Sequence, residues 1–75
     1  MSYYKTKLLT KREKETLCLI IKGLSNEEIA KELVVSIHTI KAHIESIYRK
    51  FGVHNKVQAV IYAVKKQIIN INEDI

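Results

Sequence analysis

Residues 25–52 constrain this chain more than any other segment, because they predict two helices joined by a very short turn. Ser25 and Glu28 form a capping box, in which each side chain bonds an exposed backbone N–H group, so a helix begins at residue 26. Two β-branched valines and a second N-cap residue, Ser36, then disfavour a continuous helix and predict a turn. A longer helix follows, and Gly52 suits the left-handed conformation that ends it.

The second helix of this pair has two faces of opposite character. Its apolar residues recur at helical spacing and predict a buried stripe, formed by Ile40, Ile44, Ile47, Tyr48 and Phe51. The opposite face carries the small Ala42 among basic and hydrogen-bonding side chains. A small residue there lets the helix backbone approach base edges, whereas a bulky apolar residue would hold it away. The segment is therefore typical of a helix-turn-helix unit whose second helix enters the major groove of DNA.

A charged helix face alone would favour a different interpretation, a solvated face on an ordinary helical hairpin. This face, however, is net basic, begins at a capped N-terminus and follows a short capped helix after a three-residue turn. Composition points the same way, since the 75 residues carry a net charge of +5 and the sequence pI is about 9.4. A single basic domain of this kind usually binds a polyanion, most often a nucleic acid.

Long apolar stripes without strand alternation, together with the absence of proline, predict an all-α fold. We expect a four-helix bundle with a central helix-turn-helix, with helices at about 11–22, 26–33, 37–51 and 56–69. The domain then spans residues 10–69. Residues 1–9 are expected to form a mobile arm or the end of a linker, and residues 70–75 a frayed tail.

The last predicted helix is apolar on nearly all sides. A surface helix of a small monomer needs only one apolar stripe, and a chain of this size buries only about 60% of its unfolded surface. One face carries Ala59, Tyr62 and Ala63. The other is either a wider core contact or an interface with a second copy, and we favour the interface. Its residues are Val57, Ile61, Val64 and Ile68.

Several functional classes are disfavoured by the residues present. Cys18 is the single cysteine, so neither an internal disulfide nor a thiolate metal site is expected. His38, His43 and His54 are not spaced as metal ligands, which argues against a metal site, an acid–base site and hence an enzyme. No apolar run could span a bilayer or serve as a signal peptide core. We expect a cytoplasmic, nucleoid-associated protein without cofactor, small-molecule ligand or membrane contact.

The segments together resemble the LuxR-type (GerE/FixJ/NarL) DNA-binding domain, with matches at residues 9–15, 23–30, 35–44, 50–53 and 58–60. The resemblance covers nearly the whole chain. It implies that the third helix lies in the major groove and that the fourth forms a dimer contact. Such domains sit at the C-terminus of a larger regulator or stand alone, and both arrangements remain open. The departures are Thr16, Phe51 and Lys56, where the family usually has Val or Ile, Leu and Arg.

Carried over by position, the resemblance implies a base-contacting set on the third helix, Lys41, Ala42 and Glu45. It also implies that Asn26 and Thr39 hold phosphates. The same helix face adds His38 to the base-contacting set. Three further phosphate-binding residues are expected, Arg49 on this face and His43 and Lys50 on its edge. The position of Glu45 varies with the target in this family, so the resemblance does not predict which bases are contacted.

Two other functions compete with this interpretation. The promoter-binding fourth region of a sigma factor shares the opening motifs, but it predicts no amphipathic dimer helix after the recognition helix. An adaptor that binds an acidic protein would more often place large apolar side chains around Ala42. The expected partners are therefore double-stranded DNA and a second copy on that DNA, with RNA polymerase as a further candidate.

Overall fold

The computed structural model describes residues 9–74, whose helices are α1 (Lys11–Ile21), α2 (Asn26–Leu33), α3 (Ile37–Phe51), α4 (Lys56–Lys65) and α5 (Ile71–Asp74). These residues contain no strand, which confirms the all-α prediction. A three-residue turn joins α2 to α3, as predicted for a helix-turn-helix. Residues 1–8 and 75 lie outside the described range, and with them most of the predicted arm at 1–9.

Local side-chain bonds explain where the first four helices begin. The Thr10 and Ser25 hydroxyls accept hydrogen bonds from the third backbone N–H of α1 and α2, at 3.0 and 3.2 Å. Ser36 accepts from the N–H of Thr39 at 3.1 Å, and Asn55 accepts from the N–H of Gln58 at 2.9 Å. Each of these residues satisfies a donor that the helix itself cannot. The predicted helix starts are confirmed for this reason.

Two apolar clusters form the core, and α3 contributes to both of them. Ile40 and Ile44 pack in one cluster against α1 and α2, while Ile47 and Phe51 pack in the other against α1, α4 and the segment after α4. Tyr48 is partly buried against both clusters. The predicted apolar stripe of α3 is therefore the centre of the fold, and its opposite face is left at the surface.

The turn between α2 and α3 contains a backbone conformation that the sequence did not predict. Val34 ends α2 with φ 56° and ψ 51°, in the left-handed region. The N–H of Val35 then donates to the carbonyl of Ala30 at 2.9 Å, which closes the helix end. A β-branched residue rarely adopts this conformation, because its Cβ crowds the following carbonyl. The turn is thus strained at an exposed valine.

The end of the domain differs from the prediction. The last long helix ends at Lys65 rather than at residue 69, because Gln67 adopts a left-handed conformation with φ 58°. The N–H of Ile68 then bonds back to the carbonyl of Ala63 at 2.9 Å. This reversal turns Ile68 and Ile69 into the core, where 5% and 1% of their surfaces are exposed.

Two predictions are corrected by this reversal. The assignment of Ile68 to an interface with a second copy is wrong, because its side chain is buried in the cluster that contains Phe51. The predicted frayed tail is also replaced, over residues 71–74, by the short helix α5. Its N-terminal side is held by Asn70, whose N–H donates to Asp74 Oδ2 at 2.8 Å and whose Oδ1 accepts from Asn72 N at 2.9 Å.

Candidate nucleic-acid interface

The surface of α3 opposite the core forms a continuous polar face, which we call the recognition face. It consists of His38, Lys41, Ala42, Glu45 and Arg49, all of which are exposed. Eleven steps of about 1.5 Å separate His38 from Arg49, so the recognition face is about 16 Å long. The diameter of an α-helix with its side chains, about 10–12 Å, fits the major groove, which is about 12 Å wide. The predicted base-contacting residues are therefore all brought to one accessible face.

The N-terminus of α3 differs from those of the two helices that precede it. Glu13 lies in the first turn of α1, and Glu27 and Glu28 lie in the first turn of α2, but the first turn of α3 contains no acidic residue. The positive end of the α3 dipole is consequently not neutralised by a carboxylate. A phosphate of the DNA backbone can approach this end of the helix.

Thr39 and His43 lie at the edge of the recognition face and are half-buried. The Thr39 Oγ1 lies 3.1 Å from the Ser36 Oγ, so its side chain is oriented by the helix cap. Asn26 begins α2 and is also half-buried, and its buried Oδ1 has no hydrogen-bond partner among the described residues. Because phosphate oxygens only accept hydrogen bonds, Asn26 would contact one through its amide N–H₂ group. The phosphate roles of these three residues stay predictions.

Lys50 does not fit its predicted phosphate-binding role. Its Nζ donates to Glu13 Oε1 at 2.7 Å, and only 23% of its side chain is exposed. Ser46, on the same edge of α3, donates to Glu13 Oε2 at 2.6 Å. The structure therefore assigns both residues to the junction between α1 and α3. Spacing could not reveal this, because the partners are 33 and 37 residues apart.

Glu13 itself is a residue whose importance the sequence indicated only in part. The capping box was predicted, and its Oε1 does accept from the Thr10 N–H at 2.9 Å. The carboxylate is also almost completely buried, with 4% of the residue exposed. Burial raises the pKa of Glu13, but the hydrogen bonds from Lys50, Ser46 and Thr10 outweigh it and hold this pKa below its usual value. Glu13 is thus a charged anchor for α3.

The outer surface of α4 carries exposed apolar side chains, which we call the pairing surface. Val57, Ile61 and Val64 are 67%, 58% and 37% exposed and lie at spacings of four and three residues on one face. Ala59 and Ala63, on the other face, are buried in the core. The predicted division of α4 into a core face and a surplus apolar face is therefore present, without Ile68.

An aromatic contact connects the pairing surface to the recognition helix. The rings of Phe51, at the end of α3, and Tyr62, in α4, are stacked with their centroids 4.5 Å apart. Lys66 Nζ lies 6.0 Å from the Tyr62 ring, within the range of a cation–π contact. Because α3 and α4 are packed together in each copy, pairing through α4 would fix the distance and the orientation between the two α3 helices.

Residues 9–74 lack the features of a metal site and of a membrane-spanning helix. They contain no group of three or more His, Cys, Asp or Glu side chains arranged to hold a metal ion. None of their helices combines the length and apolar character needed to cross a membrane. Cys18 is half-buried, and burial raises the pKa of its thiol, which keeps it protonated and poorly nucleophilic near neutral pH.

The family model for GerE, described as bacterial regulatory proteins of the luxR family, matches residues 7–63. The chain belongs to the LuxR family. It is a helix-turn-helix domain of the type found in these DNA-binding transcriptional regulators. The transcriptional regulatory protein LiaR of Bacillus subtilis is 47% identical over 62 residues, covering 83% of this chain and 29% of LiaR.

Two further relatives agree with this family assignment. The oxygen regulatory protein NreC of Staphylococcus aureus (strain JH9) is 48% identical over 63 residues, covering 84% of this chain and 29% of NreC. The crystal structure of the response regulator ChrA, of a heme-sensing two-component system, superposes with a TM-score of 0.79 at 39% identity. That match covers 81% of this chain and 30% of ChrA. The chain thus spans less than a third of the length of these relatives.

Proposed function

We propose that this LuxR-family domain binds double-stranded DNA sequence-specifically by inserting α3 into the major groove. The observation that supports this most is the recognition face, which puts small and hydrogen-bonding side chains at the surface of the most deeply anchored helix. His38, Lys41, Ala42 and Glu45 would contact base edges. Thr39, His43, Arg49 and Asn26 would contact phosphates and fix the position of the helix. Lys50 is excluded from this set because it is bound to Glu13.

The domain would act as a pair of copies on one operator. The pairing surface of Val57, Ile61 and Val64 supports this, because these apolar side chains are exposed together on one face of α4 while its other face is buried. A two-fold contact through α4 would place two α3 helices on the same side of the duplex. Half-sites would then lie about one helical turn, 10–10.5 bp, apart. The presence of α4 disfavours a sigma-factor-like module, because such a module is not expected to have an amphipathic dimer helix after the recognition helix.

A few aliphatic side chains per copy provide a small contact compared with the roughly 1,200 Å² of a standard stable interface. Pairing in free solution would therefore be weak. DNA would promote it, because each half-site raises the local concentration of the second copy. As a transcriptional regulator the domain would work at the nucleoid in the cytoplasm, with RNA polymerase as a further partner.

A selection of bound duplexes from a random DNA pool tests this proposal. The wild-type domain should enrich a motif with two half-sites about one helical turn apart. Ile61→Asp places a charge on the pairing surface and should enrich one half-site only, while circular dichroism shows that its helices are retained. Failure of the wild type to enrich any motif would contradict sequence-specific binding. Enrichment of paired half-sites by folded Ile61→Asp would contradict pairing through α4.

A further inference from the structure

The C-terminal segment lies beside the pairing surface and has an exposed apolar residue of its own. Ile71, the first residue of α5, is 52% exposed. Ile71 and Val64 line the same open hollow, of about 590 Å³, whose other lining residues include Lys14, Gln67 and Glu73. Val64 of α4 and Ile71 of α5 are therefore exposed apolar residues at a hollow whose lining is otherwise largely polar.

This segment lies beyond the residues that the family model matches. The family match ends at residue 63, before Val64 and all of α5. The segment is fixed to the rest of the domain, because Ile68 and Ile69 are buried in the core and Asn70 caps α5. An exposed isoleucine on an anchored segment has a defined position relative to α4, as a contact with another molecule requires.

The pairing surface is small for a dimer interface, which favours a second copy of this chain as the molecule that covers Ile71. Val57, Ile61 and Val64 alone fall far short of the roughly 800 Å² that each partner contributes to a standard interface. If a second copy already contacts Val64, it lies directly next to Ile71 and to the hollow between them. A second copy of this chain can therefore enlarge its contact by covering Ile71 as well.

A two-fold axis perpendicular to α4 that passes beside Ile61, the middle residue of the pairing surface, would determine which residues meet. Such an axis makes the two α4 helices antiparallel. Val57 lies about 6 Å from Ile61 along the helix and Val64 about 4.5 Å in the other direction. Val57 of the second copy therefore comes level with Val64 of the first, at the edge of the hollow. Lys56 of the second copy, five residues before its Ile61, would come level with residue 66, at the end of α4 that leads to the hollow lined by Glu73.

The charges on this surface are consistent with that arrangement. Lys65 and Lys66 line a different hollow on the Tyr62 side of α4, whereas the hollow with Ile71 is lined by Glu73 and Asp74 and by one cation, Lys14. The antiparallel contact would bring Lys56 to the hollow that holds the two acidic residues. Two-fold symmetry would form this ion pair twice. An exposed pair of this kind selects the orientation of a contact more than its strength.

We propose that the second copy packs on Val64 and Ile71 together, with its Val57 in the hollow and its Lys56 paired with Glu73. This inference rests on the proposed pairing through α4 and extends the interface onto the C-terminal segment. The contact is reciprocal, so each copy contributes both halves. The residues beyond the family match are then a dimerisation element of this chain.

The first test measures cooperative binding to an operator with two half-sites, relative to binding of one half-site. Ile71→Asp should reduce the cooperative gain about tenfold, the loss expected when a half-exposed isoleucine is no longer covered. Asn72→Asp introduces the same charge one residue later in α5 and is the matched control, with a change below about twofold. Half-site affinity should be unchanged in both. Equal cooperativity for Ile71→Asp and the control would overturn the proposal.

The second test exchanges the charges of the proposed pair. Lys56→Glu and Glu73→Lys should each reduce cooperativity, because each places two like charges opposite one another in both halves of the contact. The double variant should restore it, since the pair is re-formed with the signs reversed. A double variant that shows the combined loss of the two single variants would overturn the pairing of these residues.

The contact through α4 and its extension onto α5 can be refuted separately. If Ile61→Asp abolishes cooperativity and Ile71→Asp leaves it intact, the copies pair through α4 and the extension onto α5 is wrong. If folded Ile61→Asp keeps full cooperativity, the α4 contact is wrong, and the extension is wrong with it.

Discussion

Lys50 Nζ lies 2.7 Å from Glu13 Oε1 and so joins the last turn of the recognition helix to the first turn of α1. The pair is well shielded, since 23% of the lysine side chain and 6% of the glutamate side chain are exposed. Ser46 donates to the second carboxylate oxygen, one helical turn before Lys50. One buried carboxylate therefore fixes both the position and the rotation of α3, and with them the direction of the recognition face.

Glu13→Gln should destabilise the domain by about 1–3 kcal/mol, because it removes the charge partner of a largely buried lysine and keeps the shape of the side chain. Equilibrium unfolding in urea measures this. Glu15→Gln is the matched control: Glu15 pairs with Arg12 at 3.1 Å, but both side chains are about half exposed. Its effect should stay below about 1 kcal/mol. Equal effects from the two variants would contradict the anchoring role of Glu13.

The stability contribution of Glu13 should depend on pH. The pKa of Glu13 is lowered in the folded protein, so folding is favoured by the ionised form. This contribution is fully present above about pH 4.5, the ordinary titration point of a glutamate, and is lost as the pH falls through the lowered folded pKa. The difference in unfolding free energy between wild type and Glu13→Gln should shrink on acidification from pH 6. A difference that stays constant down to pH 3 would contradict a stabilising role of the ionised Glu13 carboxylate.

Val34→Gly should stabilise the domain. The valine has φ 56° and is 87% exposed, so glycine relieves a conformational strain of about 1–2 kcal/mol and loses little buried surface. The greater freedom of glycine in the unfolded chain opposes this by about 0.5–1 kcal/mol. A rise in melting temperature is expected. Val35→Gly is the control and should destabilise, because Val35 packs against the core. A lower melting temperature for Val34→Gly would refute the strain at the turn.

The residues at the two ends of the helices show how far the sequence could predict the fold. The helix starts were predictable because each depends on a cap within three residues, as at Thr10 and Ser36. The end of α4 was not predictable, because the chain reverses at Gln67, which has a left-handed backbone conformation. Glutamine is a residue type that gives no local signal for that conformation. Apolar spacing alone therefore extended the helix to residue 69 and placed Ile68 on the wrong surface.

The candidate site was predictable to a similar extent. The spacing of polar residues on α3 correctly brought Lys41, Ala42 and Glu45 to one exposed face. It could not separate Lys50 from Arg49, because both are basic residues in the last turn of α3, one on the recognition face and one beside it. Only the packing of α1 on α3 decides that Lys50 meets a buried carboxylate while Arg49 stays exposed.

Lys41 and Thr39 should have separable roles in DNA binding. Lys41→Ala should relax specificity at one base pair, expected to be a guanine contacted through O6 and N7, by about 1–3 kcal/mol. Thr39→Ala should weaken binding to all sequences about equally, because backbone contacts carry little sequence information. Affinities for a set of singly substituted operators measure both effects. Identical profiles for the two variants would refute this division.

The dependence of DNA affinity on salt tests the central claim most directly. For a fluorescently labelled duplex that contains the selected motif, log K should fall linearly with log[salt], by about 0.9 for each phosphate contact. Arg49→Ala should flatten this slope by about 0.9 per bound copy. On a duplex with a single half-site, Lys14→Ala, which removes an exposed cation that lines the hollow beside α5, should leave the slope unchanged. Affinity that stays constant between low and moderate salt would contradict DNA binding by this domain.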